Sequence, residues 1–256
     1  MRTDDVMEMC NKEAYSDKTN IIQTVTTDCL AFMKSEYFKG IIESNKVCII
    51  TDPPFNIGYR YNTYKDNKKE SEYYGFLKDV FTLYNLPFVV VHYPECLHRI
   101  SFYTGKFPEK IVSWVYNSNT AKQHRDIAFY GVKPDFRKIK QPYKNPNDKR
   151  IRERMKNGAG GGRLYDWWNV NQVKNVSKKQ NSHPCVMPVE VMEKIIGILP
   201  EEYLIFDPFA GSGTTGVACV KSGNNYIGCD IDEKYSEIAE TRIQKELIQK
   251  DTNKGV

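Results

Sequence analysis

Two apolar runs in this chain each stop at a short loop of distinctive make-up, and together they leave few folds open. Val47-Cys48-Ile49-Ile50 runs into Thr51-Asp52-Pro53-Pro54-Phe55-Asn56. Tyr203-Leu204-Ile205-Phe206 runs into Asp207-Pro208-Phe209-Ala210-Gly211-Ser212-Gly213-Thr214-Thr215. Short continuous apolar runs bounded by turn residues read as strands buried on both faces, as in a parallel sheet covered by helices. In such sheets ligands collect beyond the carboxyl ends of the strands, where both loops lie.

The rest of the chain alternates in the same way, which predicts an α/β fold with a mostly parallel, twisted sheet and helices on both faces. Strands are expected at 21–26, 47–50, 87–91, 111–116, 127–131, 203–206 and 226–229. Helices are expected at 28–38, 71–84, 95–102, 188–199, 214–222 and 233–249. Residues 1–20 read as a loose tail, and the polar, aromatic segment 59–69 as a mobile loop over the site. Pro142, Pro146, a charge run and Gly158-Ala159-Gly160-Gly161-Gly162 break the rhythm. That stretch, 134–165, reads as an insertion ending in a flexible glycine linker.

At 256 residues the chain fits one α/β core. Its seven cysteines stand singly, without a CxxC pair, so a reducing cytoplasm is expected and a metal site is not. No run approaches a membrane span. The net charge of +5 is unevenly spread: from Lys133 to Arg163 eleven Lys or Arg face Asp135, Asp148 and Glu153, a local +8 that leaves about −3 elsewhere. A basic stripe on a near-neutral body is the electrostatic footprint of nucleic-acid binding, although a solvated loop would look alike. Within it Arg137, Lys138, Lys140, Arg150, Arg152 and Arg154 are the candidate contacts.

Gly211 and Gly213 permit a tight strand-to-helix turn with close backbone approach, and a helix starting near Thr214 offers free N–H groups to an anion. In Ile227-Gly228-Cys229-Asp230, the acid ends the next strand, where dinucleotide-binding folds place a ribose-binding carboxylate. In the first loop Asp52 and the Pro53 carbonyl can both accept from the N–H bonds of an exocyclic amine. Pro53 and Pro54 stiffen that loop, and Phe55 offers a ring on which a base can stack.

With DPPF preceding DPFAGSGTT, the chain resembles the β class of DNA amino-methyltransferases, which use S-adenosyl-L-methionine. The resemblance covers nearly the whole chain outside the insertion. It implies a Rossmann-like methyltransferase fold with circularly permuted motif order, one catalytic domain over 1–256, and 134–165 as target-recognition insertion. Asp52, Pro53, Pro54 and Phe55 then form the catalytic loop. Asp28, Asp52, His183, Asp207, Phe209, Ala210, Gly211, Ser212, Gly213, Thr214, Thr215 and Asp230 hold the cofactor. Asp28 lies in Thr27-Asp28-Cys29-Leu30, which resembles the segment that meets the cofactor's adenine; a helix N-cap reads equally well. His183 opens His183-Pro184-Cys185-Val186-Met187-Pro188, matched to a segment usually reading HPTQKP; it contacts the cofactor or caps a turn, and Met187 stands where Lys is common.

The implied reaction is methyl transfer to N6 of adenine in double-stranded DNA after base flipping. Cytosine-N4, an RNA adenine and a catalytically silent nucleic-acid-binding subunit are the alternatives. A cytosine-C5 reading of Pro184-Cys185 lacks its partner motifs. A homodimer, a cognate restriction endonuclease and a bacterial or phage-infected cytoplasm complete the expectations.

Overall fold

The computed structural model describes residues 21–173 and 186–254. In chain order it runs β1 (Ile22–Thr26), α1 (Cys29–Met33), α2 (Glu36–Ser44), β2 (Lys46–Thr51), α3 (Glu70–Thr82), β3 (Phe88–His92), α4 (Pro94–Thr104), β4 (Lys110–Val115) and β5 (His124–Tyr130). There follow β6 (Lys140–Gln141), α5 (Lys149–Lys156), β7 (Gly162–Arg163), β8 (Trp167–Asn169), α6 (Val189–Gly197), β9 (Tyr203–Asp207), α7 (Thr214–Ser222), β10 (Tyr226–Asp230) and α8 (Glu233–Lys254). Eight strands form one sheet in the order β1-β10-β9-β2-β3-β5-β4-β8, in which β5 alone runs against the others. The mostly parallel sheet expected from the strand pattern is present.

Both faces of the sheet are covered, as the continuous apolar runs require. In β2, Cys48 and Ile50 join a core packed by α6, α7 and α8, while Val47 and Ile49 join a second core packed by α1 to α4. The same alternation places Val89 and Val91 on one side and Phe88 and Val90 on the other. Among the described residues no helix is long and apolar enough to cross a membrane.

Two expectations are corrected. The single helix expected over 28–38 is two, because Ser35 interrupts it. Its hydroxyl donates to the Phe32 carbonyl at 2.6 Å and accepts the Phe38 N–H at 3.2 Å, which starts α2 afresh. The basic segment is not tethered by a slack glycine linker. Asp148 caps α5 through the N–H groups of Arg150 and Ile151, and β6 pairs with β7. Phe136 and Ile139 lean on the main core, and buried Leu164 donates to both of their carbonyls at 3.0 and 3.1 Å. Gly158 follows the helix end with φ +83°, and a Cβ on Gly161 would stand 2.6 Å from the Gln141 carbonyl oxygen. These glycines answer local steric demands.

Candidate active site

The two motif strands are neighbours: β2 pairs with β9 from Lys46–Tyr203 to Ile49–Phe206. From there the chain continues to β3 on one side and β10 on the other, so their carboxyl ends flank a topological switch point. Thr51 at the end of β2 donates through Oγ1 to Asp207 Oδ1 at the end of β9, 2.7 Å away.

A cavity of about 290 Å³ opens above this junction. Of the residues predicted from sequence, Asp28, Asp52, Pro53, Pro54, Phe55, Phe209, Ala210, Gly211, Ser212, Thr214, Thr215 and Asp230 all line it. His183 lies outside the described residues. Asp207 and Gly213, expected on the cofactor, do not line the cavity, and the structure corrects their roles. The buried Asp207 carboxylate accepts from Thr51, from Thr215 Oγ1 at 2.6 Å and from the Phe209 N–H at 3.1 Å. It belts the two loops together from below. Gly213, at φ +74°, is required by α8: a Cβ there would stand 2.7 Å from the Ala239 Cα. Asp207→Ala strands three donors, two of them buried. Its unfolding free energy, measured by denaturant titration, should therefore fall by at least the about 1–3 kcal/mol that one stranded donor costs.

Around Asp230 the backbone closes tightly. Its Oδ2 accepts the Gly211 N–H at 2.9 Å and its Oδ1 the Asp232 N–H at 2.8 Å. Burial nevertheless pushes the carboxyl up to about 6. Asp28 Oδ1 caps α1 by accepting the Ala31 N–H at 2.9 Å, so the N-cap role is realised in a residue that also faces the cavity. Arg242 of α8 reaches behind the second loop to the Ser212 carbonyl and hydroxyl and to Thr214 Oγ1.

Asp52 sits at the cavity floor. Burial, then the neighbouring Asp207, push its carboxyl up to about 8, while the Arg125 guanidinium pulls it down. Phe55 is only 3% exposed and forms part of the cavity wall. The Arg125 guanidinium lies 4.4 Å from its ring centroid, and the His92 and Tyr93 rings lie 4.8 and 5.4 Å away. The open stacking ring expected there is a packed one. The Tyr93 N–H donates to His92 Nδ1 at 2.8 Å, which leaves the proton on Nε2 to reach Tyr73 Oη at 3.0 Å. Tyr73 in turn donates to the Pro54 carbonyl at 2.5 Å. Burial holds His92 down to about 3, so this chain of neutral groups fixes the DPPF turn at physiological pH.

Segment 59–69 does lie over the cavity, contributing Tyr61, Thr63, Tyr64 and Lys68 to its lining. It is organised by Asp66, 2% exposed, whose carboxylate accepts the N–H groups of Asn56, Ile57 and Tyr59 at 2.7, 3.1 and 2.9 Å. Sequence reading missed Asp66, Lys68, Tyr73, His92 and Arg125. Only His92 carried a signal, as a polar residue ending a fully apolar strand. None of the six basic candidates lines the cavity. Lys138 donates to the Leu199 carbonyl at 2.8 Å and pairs with Glu201, and Arg137 grips Asp135 with two donors. Lys140 lies on β6, and the side chains of Arg150, Arg152 and Arg154 are exposed on or beside the basic helix α5.

Residues 47–241 match a family model described as DNA methylase, that of the N6 and N4 methyltransferases. Type II methyltransferase M.HpaI of Haemophilus parainfluenzae is 27% identical over 82% of this chain and 71% of that protein. Type II methyltransferase M2.LlaDCHI of Lactococcus lactis subsp. cremoris is 37% identical, over 39% of each. Two solved structures share the fold: PvuII DNA methyltransferase (cytosine-N4-specific), with TM-score 0.59, 17% identity and coverage of 88% of this chain and 87% of that one. The other is the M1.HpyAVI–SAM complex, with TM-score 0.54, 22% identity and coverage of 87% and 100%.

Proposed function

The chain belongs to the DNA methylase family of N6 and N4 methyltransferases, and from that premise we propose that it methylates N6 of adenine in duplex DNA, with S-adenosylmethionine as cofactor. The observation that carries this reading is that Asp52, directly after β2, and Asp230, ending β10, line one cavity together with Gly211. Three carboxylates on an otherwise largely apolar lining suit a ligand with hydroxyls and a cationic centre. When bound, the cofactor supplies an electrophilic methyl group on a sulfonium.

The protein's own part is to hold the target amine. Asp52 and the Pro53 carbonyl accept its two N–H bonds, which draws the nitrogen lone pair out of the ring and spreads the charge that develops. A carboxyl titrating near 8 is also matched to take the proton the amine sheds. The Tyr73–Pro54 hydrogen bond holds those acceptors in place before the base arrives. In a duplex the amine is paired and stacked, so the nucleotide must first leave the helix. The exposed arginines of α5 would grip phosphates, and so small a basic element favours a homodimer on the duplex. Asp52 with the two prolines, as DPPF, is the ground for adenine over cytosine.

Incubating the protein with methyl-labelled cofactor and mixed genomic DNA, then resolving the nucleosides, tests the reading. N6-methyldeoxyadenosine is expected. N4-methyldeoxycytidine would transfer the same mechanism to the other base, and unlabelled DNA would refute it. Asp230→Ala should weaken cofactor binding by about 1–3 kcal/mol, the cost of stranding a hydrogen-bonded partner. Unchanged calorimetric affinity would place the ribose contact elsewhere.

A further inference from the structure

The cavity has an unequal charge inventory. Its described carboxylates are Asp28, Asp52 and Asp230, and Lys68 is the one Lys or Arg among its described lining residues. A zwitterionic amino-acid ligand with a sulfonium finds acids for its positive parts, but among the described lining residues its carboxylate meets a full positive charge at Lys68 alone. The start of α7 offers that carboxylate only the partial charge of backbone N–H groups, and the Thr215 hydroxyl there is committed to Asp207.

Lys68 is also placed with care. Asn56, directly after the catalytic loop, stands at φ +56°, a conformation uncommon outside glycine. From there its side chain brackets the Lys68 backbone, accepting the Lys68 N–H at 2.7 Å and donating to the Lys68 carbonyl at 2.9 Å. The Lys68 backbone is thereby tied to the residue that follows the catalytic loop, and Lys68 lines the same cavity as Asp52 and Asp230. Its ammonium lies 5.3 Å from the Tyr64 ring centroid and 5.8 Å from that of Phe76. Phe76 packs edge-on against Phe209 of the second loop. A lysine steered by two rings loses less rotamer freedom when it meets a ligand. Its protein partner is Glu72 at 3.3 Å, whose side chain is 59% exposed, and such pairs are weak enough to exchange.

We infer that Lys68 is the anion clamp of this cavity, binding the carboxylate of the cofactor's methionine end and exchanging Glu72 for it. The inference rests on the cofactor reading above, and places the ligand with its ribose at Asp230 and its amino acid between Lys68 and the start of α7.

Calorimetry on the full chain without DNA tests it with two ligands: S-adenosylmethionine, and 5′-methylthioadenosine, which lacks the amino acid. Lys68→Met should weaken S-adenosylmethionine roughly ten- to a hundredfold, as for loss of a charge-assisted hydrogen bond, and leave methylthioadenosine unchanged. Lys68→Arg should stay within a few-fold of the parent for both. Glu72→Gln should bind S-adenosylmethionine as tightly or more tightly, because the competing acid is gone. An equal loss of both ligands in Lys68→Met would mean that the lysine merely holds the loop. A loss in Glu72→Gln matching that in Lys68→Met would mean that the ion pair is structural. Unchanged S-adenosylmethionine affinity in Lys68→Met would mean that the carboxylate is held elsewhere. Each of these overturns the clamp. If the parent protein binds neither ligand, the cofactor reading itself fails.

Discussion

Asp52→Ala transfers methyl groups at least about 10²–10³-fold more slowly than the parent, the usual loss when a preorganised charge partner is removed. Its calorimetric affinity for S-adenosylmethionine stays within a few-fold, because the carboxylate acts on the target amine. Activity at the parent level would end the assignment of Asp52 as the amine acceptor. The pH profile gives an independent check. Burial and Asp207 push Asp52 up to about 8, so the free protein holds it largely protonated at neutral pH. Only the ionised carboxylate accepts fully, so kcat/KM should rise with pH through an acid limb near 8. In the complex the cofactor's positive charge favours ionisation, which moves the limb in kcat downward. A profile flat from pH 6 to 9 in both constants would remove Asp52 from the proton inventory.

Replacing Arg150, Arg152 and Arg154 together by Ala weakens duplex binding roughly tenfold or more at physiological salt. It also flattens the salt dependence by about 0.9 in slope for each phosphate left without its arginine. Cofactor affinity stays put, since none of the three lines the cavity. All three stand on a capped helix with exposed side chains, so the substitutions leave no buried group stranded. Normal methylation of duplex DNA by the triple variant at physiological salt would make this helix a solvated surface and put the DNA-facing side elsewhere.

The sheet was legible because buried strands and punctuating Gly and Pro leave local marks. Val47 to Ile50 and Leu204 to Phe206 are apolar on both faces, and each ends in a loop whose sequence limits its shape. The break before α2 carries a local mark too, in Ser35 followed by Glu36, which the single helix read over 28–38 passed over. Asp207 was misread because its loop suggests ligand contact, whereas its carboxylate is spent on Thr51, Thr215 and the Phe209 N–H. The glycine run was misread because composition reports backbone freedom and not the close approach at Gly161 that uses it up. Arg125 and Lys68 were out of reach for another reason. Each comes to the site from a segment with no motif of its own, and only the strand order brings β5 and the loop after β2 together.

The bond from Thr51 to Asp207 joins residues 156 positions apart at the ends of adjacent strands. The spacing between the place where the base would sit and the place where its methyl donor would sit is therefore set by the frame, independently of either guest. A frame of that kind tolerates new addresses. The basic helix α5, none of whose arginines lines the cavity, can change without disturbing that joint. Changes outside the cavity lining would then accumulate, while the joint between the two strands stays fixed.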